Sequence, residues 1–147
     1  MILSKIKEAK KRGLKVGFTA STFDLLHAGH VIMLEECKNN CDFLIVGLLT
    51  DPTISRPCSK NKPIQSTLER WLQVQTLKHI DEVIPFDTEE DLEDILKILE
   101  PDIRFVGEDY SGKDFTGKEL GIEIFYNKRK HRFSSTRVRE QVIKNNK

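Results

Sequence analysis

The nearly uninterrupted apolar run at positions 42–49 (DFLIVGLL) restricts the fold more than any other feature of the sequence. A strand has this composition when other layers cover both of its faces, as they do in a parallel sheet. Shorter runs of the same character lie at 15–20, Glu82–Phe86, Ile103–Gly107 and 122–126. We therefore expect a sheet of about five parallel strands.

Helical patterns separate these predicted strands. Apolar residues recur at helical spacing near the N-terminus, through Ile2, Ile6 and Ala9, and again over 29–39, 66–78, 88–99 and 134–144. Strands alternating with helices predict an α/β fold, an open doubly wound (Rossmann-like) sheet in a single domain covering 1–147. Ligands of such sheets bind beyond the carboxyl ends of the strands, so the loops to inspect follow Ala20, Leu49, Gly107 and Tyr126.

Composition excludes several classes of protein. The chain has 147 residues, of which 38% are hydrophobic and 32% charged, which is ordinary for a globular domain and argues against disorder. No apolar stretch approaches the roughly 18 residues of a membrane span. Three cysteines do not form a disulfide framework, so a cytoplasmic location is the simplest expectation.

Charge is balanced overall but unevenly distributed. The 24 basic and 23 acidic side chains leave a net charge of +1, which excludes a polycation wrapped around nucleic acid. The range 81–102 holds ten acidic residues and one lysine, whereas 128–147 holds eight Lys or Arg and one glutamate. We expect the acidic range to be mostly a solvated helix face and the basic end to hold an anion site.

The loop after the first predicted strand carries the strongest chemical signal. His27 and His30 flank a turn of small residues where the chain enters a helix. A helix N-terminus offers unpaired N–H groups to an anion, and Gly29 lets a phosphate approach the backbone. Two imidazole donors aimed at one phosphate would stabilise a transferring phosphoryl group electrostatically.

The segment STFDLLHAGH resembles the G-T-F-D-x-x-H-x-G-H signature of the cytidylyltransferase branch of the nucleotidyltransferase superfamily, with Ser21 where glycine is usual. Three later segments resemble that family in order and spacing: Glu69-Arg70, the loop Gly107-Glu108-Asp109-Tyr110, and Phe133-Ser134-Ser135-Thr136. The resemblance covers about residues 14–140. It is strongest to small bacterial glycerol-3-phosphate cytidylyltransferases, followed by the nucleotidyltransferase domain of heptose-phosphate enzymes.

The resemblance implies transfer of CMP from CTP to a small phosphorylated alcohol, with release of pyrophosphate and with Mg²⁺ bound to the triphosphate. Glycerol 3-phosphate is the favoured acceptor, for envelope or capsule polymer synthesis. An adenylyl- or guanylyltransferase acting on a sugar phosphate or flavin precursor is the alternative enzyme. A non-catalytic nucleotide sensor or RNA-binding protein is the alternative of another class. The family also implies a homodimer, with neither a membrane nor nucleic acid as partner.

The resemblance also assigns residues. His27, His30, Arg129 and a lysine of the 50–65 loop would be catalytic, and Lys62, next to Pro63, is favoured over Lys60. No site held by protein ligands alone is expected for the metal. The nucleotide-binding residues would be Thr22, Phe23, Gly29, Arg70, Gly107, Asp109, Ser134, Ser135 and Thr136. Three hydroxyl residues at a helix start suit both a cap and a phosphate cradle, and the two remain alternatives.

Other interpretations stay open at several positions. Asp24 is better explained as a buried turn residue than as a catalyst. Arg70 could instead form a salt bridge on a helix face, and Glu108 is expected to be a solvated loop residue. Cys37 and Cys41, one helical turn apart, are better explained by burial than by zinc.

The chain departs from the family before its last helix. Lys130-His131-Arg132 stands where the family has Thr-Glu-Gly. The change makes this segment far more basic, which would either tighten triphosphate binding or suit a more acidic acceptor.

Overall fold

The computed structural model describes residues 1–146, and its centre is a five-stranded, fully parallel sheet. The strands are β1 (Val16–Ser21), β2 (Phe43–Leu49), β3 (Glu82–Phe86), β4 (Ile103–Gly107) and β5 (Glu123–Asn127). Their order across the sheet is β3-β2-β1-β4-β5. The predicted fold class is confirmed, and each strand lies within one residue of its predicted limits.

Five α-helices accompany the strands: α1 (Ile2–Lys11), α2 (Ala28–Asn39), α3 (Thr67–Val74), α4 (Glu89–Leu99) and α5 (Ser135–Asn145). The helix predicted over 66–78 is wrong at its C-terminal end, since α3 stops at Val74. Beyond it the chain turns, with Leu77 N–H bonded to Val74 O and Ile80 N–H bonded to Leu77 O. Both side chains still pack on the core, so the apolar spacing persists after the helix has ended. Two short 3₁₀ turns, Glu108–Tyr110 and Lys118–Leu120, lie in loops.

Burial of β2 on both faces explains its apolar run. Leu44, Val46 and Leu48 pack on one face of the sheet against α2 and α3. Ile45 and Leu49 pack on the opposite face against α1 and α4. Because successive side chains of a strand point to opposite faces, a strand covered on both sides has almost no position for a polar residue.

Aspartates fix the strands at the amino edge of the sheet. One aspartate precedes each of β2, β3 and β4, and its carboxylate accepts a backbone N–H from the neighbouring strand. Asp42 bonds Lys15 N (2.7 Å), Asp81 bonds Leu44 N (2.8 Å) and Asp102 bonds Val16 N (2.7 Å). Some members of the acidic range therefore set strand register rather than only face solvent.

The carboxyl edge is organised differently. The chain passes from β1 outward through β2 to β3, then returns to place β4 and β5 on the other side of β1. The order therefore reverses between β1 and β4, and a crevice opens at such a point beyond the carboxyl ends. No helix within residues 1–146 has the length and apolar character needed to cross a membrane.

Candidate functional site

The loop that joins β1 to α2 has an unusual backbone. Phe23 and Leu25 both adopt positive φ angles, 52° and 50°, which side chains with a Cβ rarely do. Each such residue costs on the order of 1 kcal/mol, so the surrounding structure must hold it. Complete burial of the Phe23 ring is one restraint, and bonds made by Asp24 are another.

Asp24 connects three segments at the carboxyl edge. Its carboxylate accepts the backbone N–H groups of Ile64 (2.9 Å) and Gln65 (3.0 Å) and forms an ion pair with Arg139 of α5 (2.7 Å). Burial by itself would raise the pKa of Asp24, but these N–H groups and the Arg139 guanidinium outweigh it and hold the pKa below its usual value. Asp24 therefore stays ionised and has the buried, backbone-bonding role that its sequence context suggests.

His27 and His30 lie together at the N-terminus of α2. Their rings stack with centroids 3.9 Å apart, and the Phe23 ring lies 5.3 Å from that of His30. His27 is the N-cap, where its Nδ1 accepts the N–H of Gly29 at 3.0 Å. The Nδ1 of His30 accepts the N–H of His27 at 3.2 Å.

These hydrogen bonds fix the protonation of both rings. A ring nitrogen that accepts a hydrogen bond carries no proton, so each neutral imidazole has its proton on Nε2 and offers that N–H as a donor. Burial, followed by the charge of His27, lowers the pKa of His30 to about 4, although Asp24 acts in the opposite direction. Burial, followed by the charges of His131 and Arg129, lowers the pKa of His27. Without an anion the pair is therefore neutral near pH 7.

The N-terminus of α5 meets the same loop. Ser134 caps α5 by accepting the N–H of Arg137 at 3.0 Å, and the Ser135 hydroxyl donates to the Asp24 carbonyl at 2.8 Å. Thr136, in the first turn, is exposed. Two helix N-termini, each a positive dipole end, therefore meet at the loop that holds the histidines. The Ser135 hydroxyl donor is already used, whereas Ser134 only accepts, so backbone N–H groups and the Ser134 and Thr136 hydroxyls are the donors left for a ligand.

The segment between β5 and α5 is folded back by local bonds. Arg129 donates its backbone N–H to Glu108 (3.0 Å) and an Nη2 N–H to the Phe133 carbonyl (3.0 Å). Glu108 is exposed, as expected for a solvated loop residue, and its carboxylate also anchors this segment to the end of β4. After burial and the charge of His131, the positive charge of Arg129 also lowers the pKa of His27, and a catalytic role for Arg129 stays a prediction.

His131 is the residue of this neighbourhood that the sequence did not single out by itself. Its Nδ1 accepts the N–H of Phe133 at 3.1 Å, and the two rings stack at 5.2 Å. A Cβ built on Gly29 would lie 2.8 Å from His27 Cε1 and 2.9 Å from His131 Cε1. Both imidazoles therefore border the space above Gly29. The only sequence signal was the basic character of 130–132.

Arg70 does not face a ligand, which corrects the prediction that it binds the nucleotide. Its side chain is 1% exposed, and all five of its N–H groups have protein acceptors. Four acceptors are backbone carbonyls at the ends of β1 and β2 and in the loop before α3, and the fifth is a hydroxyl: Thr22, Leu49, Thr50, Gln65 and Thr67 Oγ1. With no donor left, Arg70 holds the carboxyl edge together rather than contacting phosphate.

A cavity of about 540 Å³ opens at the reversal between β1 and β4. The ends of β1, β2 and β4 border it, together with the 50–65 loop and the loop after β4. Thr22 and Gly107 line it, whereas Asp109 is exposed and does not, and the nucleotide-binding role expected of all three stays a prediction. Lys60 lines the cavity and Lys62 does not, so the structure favours Lys60 as the lysine that reaches a ligand there.

Arg104 is a cavity residue that the sequence reasoning missed. It projects from β4, is 5% exposed, and lies over the Phe115 ring with Cζ 5.2 Å from the centroid. Nη1 bonds the Thr116 carbonyl, which is the only hydrogen-bond acceptor of this guanidinium within residues 1–146. Its other N–H groups are available to the cavity. The sequence signal that could have identified Arg104 is the presence of an arginine within an otherwise apolar strand pattern.

A family model described as cytidylyltransferase-like matches residues 18–141, which include the histidine pair, the cavity and the N-terminus of α5. The chain belongs to the cytidylyltransferase-like family. The family predicted from STFDLLHAGH is therefore confirmed. The positions that the match covers include both helix N-termini described above.

Curated relatives include larger proteins. Bifunctional protein HldE of Wolinella succinogenes is 40% identical over 118 residues, which make up 80% of this chain and 25% of that protein. Bifunctional protein HldE of Caulobacter vibrioides is 40% identical over 111 residues, or 76% of this chain and 23% of that protein. The chain thus spans about a quarter of the length of these relatives. The finer likeness to glycerol-3-phosphate cytidylyltransferases stays a prediction.

Solved structures agree with the fold. The lipopolysaccharide core biosynthesis protein from Thermoplasma volcanium superposes with a TM-score of 0.67 at 27% identity, covering 81% of this chain and all of that one. Pantothenate synthetase from Thermus thermophilus superposes with a TM-score of 0.63 at 16% identity, covering 92% of this chain and 65% of that one, and shows a shared fold alone.

Proposed function

We propose that this chain transfers a nucleotidyl group from a nucleoside triphosphate to a phosphorylated small molecule and releases pyrophosphate. The observation that carries the proposal is the stacked pair of His27 and His30, whose Nδ1 atoms are bonded to backbone and whose Nε2–H groups are left to donate, at a loop where the N-termini of α2 and α5 meet. Neutral donors and helix ends stabilise an anion without a covalent intermediate. Membership of the cytidylyltransferase-like family supports the same chemistry.

The proposed reaction makes use of this arrangement. An oxygen of the acceptor phosphate attacks the α-phosphorus of the triphosphate; a new P–O bond forms, and the bond to the bridging α–β oxygen breaks as pyrophosphate leaves. The two imidazole N–H groups donate to the non-bridging oxygens of the transferring group, where negative charge is spread in the transition state. The N–H groups that begin α5 hold the β- and γ-phosphates, beside Arg129.

Mg²⁺ fits this site as a companion of the triphosphate. Within residues 1–146 no three His, Cys, Asp or Glu side chains are grouped to hold a metal ion. The triphosphate oxygens would therefore bind the ion, which supplies charge neutralisation on the leaving pyrophosphate.

The cavity supports a polyhydroxylated acceptor. Arg56, Lys60 and Arg104 bring positive charge for a phosphate, and the Asp114 carboxylate can accept hydrogen bonds from hydroxyl groups, as can Glu89, which already accepts the Thr116 hydroxyl and lies 3.8 Å from Arg56. Combined cations and carboxylates suit a sugar phosphate, whereas glycerol 3-phosphate has only two hydroxyls to recognise. A relative named for lipopolysaccharide core biosynthesis, a process that handles sugars, favours the same class. We therefore place a sugar phosphate first and the CTP and glycerol 3-phosphate pair second.

A pyrophosphate-release assay tests both the transfer reaction and the identity of the triphosphate and the acceptor. Each of the four nucleoside triphosphates is offered with Mg²⁺ and a panel containing hexose and heptose phosphates and glycerol 3-phosphate, and products are identified by mass spectrometry. Turnover that requires one triphosphate and one acceptor supports the proposal, and the pair that reacts assigns base and acceptor. Absence of turnover across the whole panel would contradict it.

Two variants distinguish the histidine pair, which would bind the transferring group, from the cavity, which would bind the acceptor. His30→Ala should abolish turnover in a folded protein, since it removes a donor to the transferring group. Arg104→Met should raise KM for the acceptor at least tenfold and leave KM for the triphosphate within twofold. Arg12→Met, at an exposed arginine after α1, is the matched control and should change neither. A change confined to the triphosphate KM in Arg104→Met would place the acceptor elsewhere.

A further inference from the structure

The basic segment before α5 contains one side chain that turns toward the histidine pair. Lys130 and Arg132 are exposed, and neither makes a side-chain hydrogen bond within residues 1–146. His131 between them is half-buried, stacks on Phe133 and is held by the Phe133 N–H. The segment thus presents one half-buried imidazole, held by a backbone bond, between two solvent-exposed cations.

The position of that imidazole is defined by the glycine of the signature loop. Gly29 is buried, yet the point where a Cβ would sit has the Cε1 atoms of His27 and His131 within 2.9 Å. The rings therefore border one small space above the first turn of α2. His27 comes from the β1–α2 loop and His131 from the β5–α5 segment, so two separate parts of the chain supply them.

Hydrogen bonding also fixes the tautomer of His131. Its Nδ1 accepts the Phe133 N–H, so a neutral ring carries its proton on Nε2, as His27 and His30 do. Three imidazoles thus share one pattern, with Nδ1 bonded to backbone and Nε2–H left for a ligand. Burial, followed by the charges of His131 and Arg129, lowers the pKa of His27.

We propose that His131 is a third phosphate-binding imidazole, whose Nε2–H donates to the polyphosphate of the nucleotide. The inference rests on the nucleotide site proposed above and adds a residue from outside the two-histidine signature. The nucleotide phosphates would then be held from two sides, by the start of α2 and by the segment that leads into α5.

Two substitutions distinguish phosphate binding from a purely structural role. In His131→Asn, the Oδ1 atom can accept the N–H two residues ahead, as asparagine does in an Asx turn, so the bond to Phe133 is kept while Nε2 is lost. His131→Ala loses both. If the ring binds phosphate, both variants should bind inorganic tripolyphosphate about tenfold more weakly by calorimetry, the scale of one charge-assisted hydrogen bond.

The control is His79→Asn, the same change at the turn before β3, on the amino edge of the sheet. It should bind tripolyphosphate as the unsubstituted protein does. Wild-type affinity in His131→Asn with weakened binding in His131→Ala would overturn the inference, because only the bond to Phe133 would then matter. Wild-type affinity in both variants would overturn it as well.

Tripolyphosphate binding and catalytic turnover are measured separately, so the failure of one can be told from the failure of the other. If tripolyphosphate binds and both His131 variants weaken it, the inference holds even when no triphosphate reacts with any acceptor, and only the proposed transfer reaction fails. If the unsubstituted protein does not bind tripolyphosphate, the phosphate site itself is refuted and the inference with it.

Discussion

Replacing Arg70 by lysine should destabilise the protein without weakening phosphate binding. The guanidinium donates five N–H groups to five acceptors spread around it, at distances such as 2.9 Å to Thr22 O and 2.7 Å to Leu49 O. An ammonium group has three protons at a single atom and cannot match that spread. At least two acceptors therefore lose their partner in Arg70→Lys.

The magnitude follows from those two acceptors. A buried carbonyl left without a donor costs about 1–3 kcal/mol, so Arg70→Lys should lower the free energy of unfolding by about 3 kcal/mol. Arg70→Met leaves all five acceptors without this partner and should cost more. Urea unfolding followed by fluorescence of the single tryptophan, Trp71, measures both, since this half-buried ring packs on the core beside the mutated site. Arg12→Lys, at an exposed position, should change stability by less than about 0.5 kcal/mol.

The same variant tests the alternative that Arg70 binds nucleotide phosphates. In conditions where Arg70→Lys is folded, its affinity for tripolyphosphate should stay within twofold of the unsubstituted protein. A stability loss below about 0.5 kcal/mol together with a tenfold loss of affinity would refute this reasoning and restore the phosphate-binding role.

Three other perturbations have definite expected outcomes. The pKa of His30 is about 4 when folded, below its unfolded value, so stability should be complete above about pH 6.5 and fall by about 2 kcal/mol toward pH 5, and His30→Asn should flatten this loss in urea titrations. Gly29→Ala places a methyl group against two imidazoles and should abolish tripolyphosphate binding in calorimetry while the far-ultraviolet spectrum is unchanged; retained binding would show that the rings move aside. Asp24→Ala removes the ion-pair partner of Arg139 and leaves two loop N–H groups unpaired, so it should cost about 2–4 kcal/mol in urea unfolding, and a cost below 1 kcal/mol would show that these bonds are replaced by water.

The sheet could be predicted because its signal is local in sequence. A strand buried on both faces must be apolar throughout, and β2 shows this directly. The starts of helices could also be predicted from the sequence where a side chain caps its own helix, as Ser66 does for α3 and Thr88 does for α4. The end of α3 could not be predicted, because Leu77 and Ile80 continue the apolar spacing in the turns that follow the helix.

Site residues were predictable only where the motif itself fixes their position. His27 and Gly29 sit at the start of α2 because the loop and helix are contiguous in sequence. Arg70 was misassigned because nothing local shows that the carboxyl ends of two distant strands converge on its guanidinium. Lys60 and His131 depend on the paths of long loops, which a single sequence does not specify.

The most direct test of the central claim is the turnover rate of His27→Asn. Asparagine is a favoured N-cap whose Oδ1 can accept the Gly29 N–H, so the start of α2 is kept while the Nε2 donor is lost. If that donor stabilises the transferring group, kcat for pyrophosphate release should fall by about 100- to 1,000-fold, with little change in KM or in the unfolding midpoint. A kcat within threefold of the unsubstituted protein would contradict the account.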